Sequence, residues 1–357
     1  MNKIIRKEIA KQVIESLFAK DTEVQLISIG ELRINYFSIV FEISIELEGS
    51  IAELFIKIPK ADLRNGEDDI FPLTLLDKEM GKSEVNSLLL LRAIWKKNQT
   101  EIQWVELIGF LEDKNAIVTK KISGIDVIHR FRSEDIFKRL LFKNSKTINT
   151  TMTKLGSSLG RMHSYQSNKK VFRYSHELPK INNYCQKIIK TQKLPTLKKI
   201  ISKLNSYKGR ELPSNETNTL KGLDLRNVLI NEACELFLLD PGKIKLSFPE
   251  SDVARFFITY RMLHWGTLKM LLLSSPSISG EKVFLKNYSY QNNKISSEIL
   301  SFFCLKEILK MWVNIIDTVH LKNWPLMMKK FVLRFYVTPI FMKLIHFECR
   351  AFKNKIN

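Results

Sequence analysis

The spacing of apolar residues changes once along this 357-residue chain, and that change limits the folds that the chain can adopt. In the first third, apolar and polar residues alternate with a period of two, which predicts half-buried strands at 24–29, 37–45 and 51–58. From Ser123 onward the period is that of helices. The sequence therefore predicts an α+β, two-lobed protein, with a small β-rich lobe of residues 1–122 and a larger, mainly helical lobe of residues 123–357.

Further elements are predicted within each lobe. In the first lobe, residues 3–19 and 77–97 have helical spacing, and 105–110 and 116–122 complete a sheet of about five strands. Predicted helices of the second lobe are 134–142, 148–165, 181–206, 252–273, 297–320 and 325–350. One short hairpin, near residues 221–242, interrupts these helices.

Composition excludes several classes of protein. Apolar residues make up 45% of the chain, which is too many for a disordered protein. The four cysteines include no C-x-x-C pair, so we expect reduced thiols and no zinc site. The N-terminus lacks the apolar run of a signal peptide, and the longest apolar candidate, 331–347, contains Arg334 and Lys343. We therefore expect a cytoplasmic protein without a transmembrane helix.

The net charge of +20 suggests an anionic partner: nucleic acid, a membrane surface or an anionic substrate. Residues 186–210 hold eight Lys or Arg and no acid, and residues 321–357 hold eight and one acid. A general bias towards Lys, Asn and Ile would explain the total charge without any partner. Nucleic acid is disfavoured, because no helix-turn-helix, zinc finger or RNA-binding aromatic motif is present.

Three polar residues lie around the predicted hairpin. Asp240 follows two aliphatic residues and precedes Pro-Gly, and Asn227 begins the other strand. Carboxylate and amide oxygens that converge there would suit Mg²⁺, although Asp-Pro-Gly also forms turns without any metal. Asp224 could accept a proton from a hydroxyl group, or could simply cap the loop.

The order of several segments resembles the aminoglycoside phosphotransferase-like branch of the protein-kinase-like fold. In that branch a strand lysine, a helix glutamate, a hinge glycine, a Leu-x-x-Leu-His helix, a catalytic loop, a metal-binding aspartate and an Asp-Leu-Ala helix follow one another. The corresponding segments here are Leu54–Ile58 with Lys57, Ser83–Leu91 with Glu84, Ala116–Gly124, Thr153–His163, Lys221–Ile230, Leu238–Gly242 and Pro249–Phe256.

The resemblance implies roles for these residues. ATP or GTP and Mg²⁺ would be the cofactors, with Lys57 on the nucleotide phosphates and Glu84 paired with Lys57. Lys60 and Glu79 are rival candidates for that pair. Gly30 lies in the loop that would cover the nucleotide. For His163, which lies on the apolar face of its helix, we expect a packing role.

The catalytic and metal-binding roles follow in the same way. The resemblance implies that Asn227 and Asp240 bind the metal and that Asp224 is the base. Arg226 would hold the anionic group of the acceptor or the transferred phosphate. The expected His-Gly-Asp is missing, since Lys221-Gly222-Leu223 stands there and Asp224 is only three residues before Asn227.

The predicted function is phosphotransfer to a hydroxyl of a small molecule or glycan. A polycationic aminoglycoside is disfavoured by the basic charge, and an anionic or lipid-linked acceptor fits it better. The alternative is a catalytically inactive, kinase-like protein that binds a nucleotide or a partner. Basic and aromatic residues of the C-terminal helices favour peripheral contact with an anionic membrane at its inner face, unless the aromatic rings are core. Those rings are Trp312, Trp324, Phe331, Phe335, Tyr336, Phe341 and Phe347.

Overall fold

The structure is a computed structural model that describes residues 3–18, 23–35, 37–61, 72–98, 101–133, 146–220, 223–272, 279–289 and 294–354. The chain forms two compact units. The first contains residues 1–126, 220–222 and 227–244, and the second contains residues 127–219, 223–226 and 245–357. The first unit is rich in strands and the second is mainly helical, which confirms the predicted α+β class.

Strands and helices are numbered in chain order. The strands are β1 (Val24–Ile29), β2 (Arg33–Asn35), β3 (Ser38–Leu47), β4 (Ser50–Pro59), β5 (Ile102–Trp104), β6 (Leu107–Leu111), β7 (Ala116–Lys120), β8 (Ile125–Asp126), β9 (Asn168–Arg173), β10 (Glu211–Leu220), β11 (Val228–Ile230), β12 (Leu236–Leu238) and β13 (Ile244–Ser247). The helices are α1 (Lys3–Leu17), α2 (Leu75–Asn98), α3 (Val127–Ser133), α4 (Lys146–Ser164), α5 (Tyr174–Gln192), α6 (Pro195–Asn205), α7 (Glu250–Leu272), α8 (Ser279–Ser289), α9 (Ser297–Leu321), α10 (Leu326–Phe331) and α11 (Thr338–Asn354).

The main sheet of the first unit has the order β1–β3–β4–β7–β6, with β2 paired to β3. Strands β3 and β4 form a long antiparallel hairpin closed by Glu48 and Gly49, both of which have positive φ. Two central residues with positive φ match the turn that best fits the twist of paired strands. Alternate residues of β3 are buried with Ile9 and Val13 of α1, which cover one face of the sheet.

A second sheet of the first unit has the order β5–β12–β11–β8. Its centre is the antiparallel β11–β12 hairpin, and β12 also pairs in parallel with β5. These hydrogen bonds place residues 227–244 in the first unit, whereas the sequence assigns the hairpin to the second lobe. The boundary between the units likewise lies at Asp126, a few residues after the predicted limit at 122.

The second unit packs its helices around aromatic side chains. Phe172 of β9 contacts the rings of Tyr174, Phe248, Phe302 and Phe303, with centroid distances of 5.0–5.7 Å. A three-stranded sheet in the order β13–β10–β9 carries this cluster. Within the described residues, no helix is both long enough and apolar enough to cross a membrane.

Three sequence predictions differ from the structure. The predicted helix 181–206 is two helices, α5 and α6, because Lys193 adopts a left-handed conformation and Pro195 starts the next helix. The prediction contains no counterpart of strands β2, β5, β8, β9, β10 and β13 or of helices α3 and α8. A π-helical segment, Val332–Val337, interrupts the predicted helix 325–350. The predicted helix 134–142 lies outside the described residues.

Candidate active site

Lys57 lies on β4, which buries its two neighbours, Ile56 and Ile58, in the core. Because successive side chains of a strand point to opposite faces, Lys57 projects from the other face of the sheet. Its Nζ lies 2.6 Å from Oε1 of Glu84 and 3.2 Å from Oδ2 of Asp240. The structure therefore contains the predicted Lys57–Glu84 ion pair and adds a second carboxylate to it.

Glu84 reaches Lys57 because α2 is fixed against the end of β4. The buried Asn115 donates from Nδ2 to the carbonyl oxygens of Pro59 (2.9 Å) and Asp77 (2.8 Å), which joins the strand to the first turn of the helix. Asp77 and Thr74 cap this turn reciprocally, since the Thr74 N–H donates to Asp77 Oδ2 and the Asp77 N–H donates to Thr74 Oγ1. This group was not predicted from the sequence, although Thr74-x-x-Asp77 is a recognisable capping pattern.

Position on α2 distinguishes Glu84 from its rival candidate Glu79. Glu79, one turn earlier on α2, is exposed, whereas the Glu84 side chain is 12% exposed and contacts Lys57. Gly81 lies between them, and a Cβ there would meet the Asn115 Oδ1 at 1.9 Å. A residue other than glycine at position 81 would therefore push α2 away from β4.

Charge is unbalanced in this cluster, since one ammonium group faces two carboxylates. Burial lowers the pKa of Lys57, but the charges of Glu84 and Asp240 outweigh it, so the pKa is raised. Burial raises the pKa of Glu84, and Asp240 raises it further against the opposing effect of Lys57. With two carboxylates for one ammonium group, the cluster can attract a further cation.

Asp240 and Asn227 lie at the same end of the β11–β12 hairpin. The Leu239 N–H donates to the Asn227 carbonyl oxygen at 2.9 Å, which continues the ladder one step beyond Val228 and Leu238. Asp240 also forms the turn that the sequence predicts, because its Oδ1 accepts from the Gly242 N–H at 2.9 Å. The turn uses Oδ1 and Lys57 contacts Oδ2, and the side chain is 39% exposed, so turn formation does not exclude a metal-binding role.

Asp224 and Arg226 form a pair within the second unit. Oδ1 of the buried Asp224 accepts from the Arg226 Nε at 2.9 Å, and Oδ2 accepts from Nη2 at 2.6 Å. Burial raises the pKa of Asp224, but the hydrogen bonds and charge of Arg226 outweigh it and lower the pKa. Arg226 remains largely exposed. Lys221 and Gly222, which replace the expected motif, lie outside the described residues.

Gly30 follows β1, and both of its backbone groups have partners. Its N–H donates to the Glu42 carbonyl oxygen at 2.8 Å, and its own carbonyl oxygen accepts from Arg6 Nη1 at 2.6 Å. A Cβ at this position would lie 3.1 Å from the Glu42 Cβ. Close packing on β3 therefore accounts for this glycine, and its role towards a nucleotide stays a prediction.

His163 is buried in the second unit with polar partners, as its predicted packing role requires. Its Nδ1 lies 2.8 Å from the Tyr288 hydroxyl, and its Nε2 lies 3.2 Å from Asp252 Oδ2. The hydroxyl of Thr217 on β10 donates to the His163 carbonyl oxygen at 2.8 Å. These contacts hold α4 to α7, α8 and β10.

Among the described residues, no three His, Cys, Asp or Glu side chains cluster as a ready-made metal site. Proteins commonly bind Mg²⁺ through one or two side chains together with water and substrate phosphates. Asp240 and Asn227 provide hard oxygen atoms, and the cluster around Lys57 carries excess negative charge. The chemistry of these donor atoms fits a hard cation such as Mg²⁺.

No protein-family model and no curated protein sequence matches the chain. Solved structures do match. Choline kinase LicA from Streptococcus pneumoniae has a TM-score of 0.52 at 12% identity, over 99% of this chain and 100% of that one. The gentamicin complex of APH(2")-IIa has a TM-score of 0.52 at 11% identity, over 99% and 98%. A macrolide 2'-phosphotransferase of type I has a TM-score of 0.51 at 9% identity, over 94% and 98%.

Identities this low show the fold alone. The matches extend over nearly the whole of each chain and agree in class with the β-rich and helical units. The chain therefore has the protein-kinase-like fold shared by the choline kinases and the aminoglycoside and macrolide phosphotransferases, as the resemblance of its sequence predicts.

Proposed function

We propose that this protein is a phosphotransferase that moves the γ-phosphate of ATP or GTP to a hydroxyl group of a small molecule or glycan. One observation carries the proposal: Lys57 is held between Glu84 and Asp240 in the first unit. Phosphoryl transfer depends mainly on positioning and charge neutralisation, so a fixed ammonium group beside carboxylates is the main requirement at the nucleotide. LicA, which shares the fold, has been crystallised with AMP.

In this proposal Lys57 binds the nucleotide phosphates. Glu84 keeps the ammonium group in place, because it is fixed through α2 and the Asn115 hydrogen bonds. Asp240 and Asn227 hold Mg²⁺, which neutralises charge on the phosphates when it is bound. The turn at Gly242 orients the Asp240 carboxylate before any ligand arrives.

Asp224 is the proposed base for the acceptor hydroxyl. In the structure both of its oxygen atoms accept from Arg226, so the acceptor hydroxyl would either share an oxygen with Arg226 or displace one of these hydrogen bonds. The exposed guanidinium group of Arg226 would bind an anionic group of the acceptor or the transferred phosphate. We propose an anionic or lipid-linked acceptor, because the chain carries a net charge of +20. We place the reaction in the cytoplasm.

A second candidate is a catalytically inactive protein that binds a nucleotide. The same Asp224–Arg226 pair favours it, since a carboxylate with a lowered pKa and two charged hydrogen bonds is a weak proton acceptor. The missing His-Gly-Asp motif agrees with this alternative.

A thermal-shift titration with ATP and GTP, each with and without Mg²⁺, tests the common part of both proposals. We expect a shift that depends on Mg²⁺ in the wild type and is lost in Lys57→Met. Lys60→Met, three residues along, is the matched control and should keep the shift. If neither nucleotide shifts the wild type, both proposals fail. If binding occurs, turnover with phosphorylated sugars as acceptors distinguishes the enzyme from the inactive protein.

A further inference from the structure

Apolar side chains are exposed in one short stretch of the second unit, residues 321–336, which we name the 321–336 segment. It runs from the last residue of α9 through α10 and into the π-helical segment. Of the nineteen large apolar side chains that are exposed among the described residues, eight lie in these sixteen positions. They are Leu321, Trp324, Leu326, Met327, Met328, Phe331, Phe335 and Tyr336. Isolated exposed apolar residues are normal, but a cluster of this size marks an interaction site.

Helix α10 itself has no buried residue, and it leads into a part of the chain that is firmly packed. Leu333, Val337 and Ile340 are buried, as are Phe341 and Trp312, whose rings stack at 5.4 Å. Met327, Phe331 and Phe335 recur every four residues, and the rings of Phe331 and Phe335 lie 5.1 Å apart. Among the described aromatic residues of the C-terminal helices, Trp312 and Phe341 are core, and those that are exposed lie in the 321–336 segment.

Charge in this part of the chain has one sign. Residues 318–347 contain no Asp or Glu. Lys322, Lys330 and Arg334 are exposed beside the apolar side chains, and the Arg334 guanidinium lies 5.6 Å from the Phe335 ring centroid. A partner that fits this surface offers apolar groups and negative charges within a few ångströms of each other.

We propose that the 321–336 segment docks on an anionic lipid bilayer. Its Phe, Met and Leu side chains enter the boundary of headgroups and acyl chains, and Trp324 and Tyr336 lie at headgroup level, where such amphipathic rings are favoured. The neighbouring Lys and Arg side chains bind lipid phosphates, as basic residues do near an anionic surface. This inference goes beyond the proposed phosphotransfer and requires no nucleotide.

Co-sedimentation of the full chain with vesicles tests the proposal. We expect binding to phosphatidylcholine vesicles that contain phosphatidylglycerol, and at least tenfold weaker binding to phosphatidylcholine alone. Raising the salt concentration should weaken the binding, because exposed charges are screened. The double variant Phe331→Ser/Phe335→Ser should bind at least tenfold more weakly, and Lys330→Gln/Arg334→Gln should also lose affinity.

Matched controls change equally exposed residues of the first unit. Ile4→Ser/Ile51→Ser controls for loss of apolar surface, and Lys7→Gln/Lys11→Gln controls for loss of charge; both should bind as the wild type does. Circular dichroism checks that each variant is folded. Equal binding of Phe331→Ser/Phe335→Ser and wild type would overturn the proposal. So would a wild-type dimer in size-exclusion chromatography that this variant abolishes while the chain binds no vesicles, since the segment would then contact a second copy.

Discussion

Each unit contains a cluster of one basic and two acidic side chains, and the two clusters differ in their exposure to solvent. In the first unit Lys57 lies between Glu84 and Asp240, and the side chains are 22%, 12% and 39% exposed. In the second unit Arg261 of α7 binds Glu281 of α8 and Glu348 of α11, and these side chains are 4%, 5% and 3% exposed. Each cluster therefore has one basic group and two acids.

Exposure decides what each cluster can do. Arg261 makes a bidentate contact with Glu281, at 2.5 and 2.7 Å, and a further one with Glu348, while Phe347 packs on its guanidinium group. Burial lowers the pKa of Arg261, but the two carboxylates raise it by more. The net shift is upward, so the guanidinium group keeps its charge. This cluster joins three helices and is shielded from solvent. The cluster of Lys57 keeps a carboxylate at the surface, where a cation and phosphates can bind.

The largest expected effect is on stability, from Arg261→Met. Two buried carboxylates would lose their cation, which costs about 3–5 kcal/mol of unfolding free energy. Chemical denaturation measures the change. Replacing all three residues, with Glu281→Leu and Glu348→Leu added, should recover most of the loss, because a buried apolar cluster can replace a buried ionic one. A triple variant as unstable as Arg261→Met would contradict this account.

Asp240→Ala, in contrast, should have little effect on stability and a large effect on nucleotide binding and turnover. Because this side chain is partly exposed, unfolding free energy should change by about 1 kcal/mol or less. Binding of nucleotide with Mg²⁺ should be lost, and turnover should fall about 10³-fold, which corresponds to about 4 kcal/mol. Glu235→Ala, at the other end of the same hairpin, is the control. Nucleotide binding that is unchanged in Asp240→Ala would remove the metal-binding role.

Glu250, a buried carboxyl of α7, shows what happens without a balancing cation. Its Oε1 accepts from the Ser296 N–H at 2.9 Å, and its Oε2 has no hydrogen-bond partner among the described residues. Burial raises its pKa from 4.5 to about 7, against the smaller effect of that hydrogen bond. The folded protein thus retains a proton that the unfolded chain releases above pH 4.5, so the wild type loses stability as the pH rises from 4.5 to about 7.

Glu250→Gln should remove this dependence, because glutamine keeps an acceptor for the Ser296 N–H and never ionises. The loss in the wild type amounts to about 3 kcal/mol over that range, at 1.36 kcal/mol per pH unit. Glu177 provides the opposite sign: burial raises its pKa, but Lys306 outweighs this and lowers it. Glu177→Gln should therefore become less stable than the wild type as the pH rises. Parallel pH profiles for Glu250→Gln and wild type would contradict the buried, protonated state.

The sequence predicts one of the two clusters in part. The strand of Lys57 and the helix of Glu84 have clear hydrophobic periods, so both elements are predicted from the sequence. The resemblance to a family then indicates that these two residues form a pair. Strand β10 has no such period, because it contains Pro213 and buries polar residues. Thr217 and Thr219 donate to the carbonyl oxygens of His163 and Lys245, so the strand is stabilised by hydrogen bonds that no hydropathy pattern reveals.

Tertiary packing also separates residues of the same type. Trp312 and Phe341 are core, whereas Phe331 and Phe335 are exposed, although all four have helical spacing near the C-terminus. The contact between Asp224 and Arg226 likewise depends on tertiary structure that the sequence does not reveal. A spacing of two residues allows the contact, but only the fold of the loop turns both side chains towards each other.

The smallest expected effect concerns this pair and decides between the enzyme and the inactive protein. Asp224→Asn is nearly isosteric and can still accept one hydrogen bond from Arg226, so nucleotide binding should persist. If Asp224 is the base, transfer should fall by about 10²-fold, the scale expected for removing a positioned base. Steady-state kinetics with a fixed nucleotide and a varied acceptor measures the change, and Asp224→Asn should lower kcat more than it raises KM.

Arg226 supplies the matched test, because it faces Asp224 without being able to accept a proton. Arg226→Gln removes the guanidinium group from the Asp224 carboxylate. The lowered pKa of Asp224 should then rise towards its ordinary value. If Arg226 binds the acceptor, KM for an anionic acceptor should increase while KM for a neutral one stays constant. If the pair only locks the loop, Arg226→Gln should leave both values unchanged and lower stability instead. A wild type that transfers phosphate to no acceptor, while it binds nucleotide with Mg²⁺, would favour the inactive protein, and the tight Asp224–Arg226 pair would then be its physical cause.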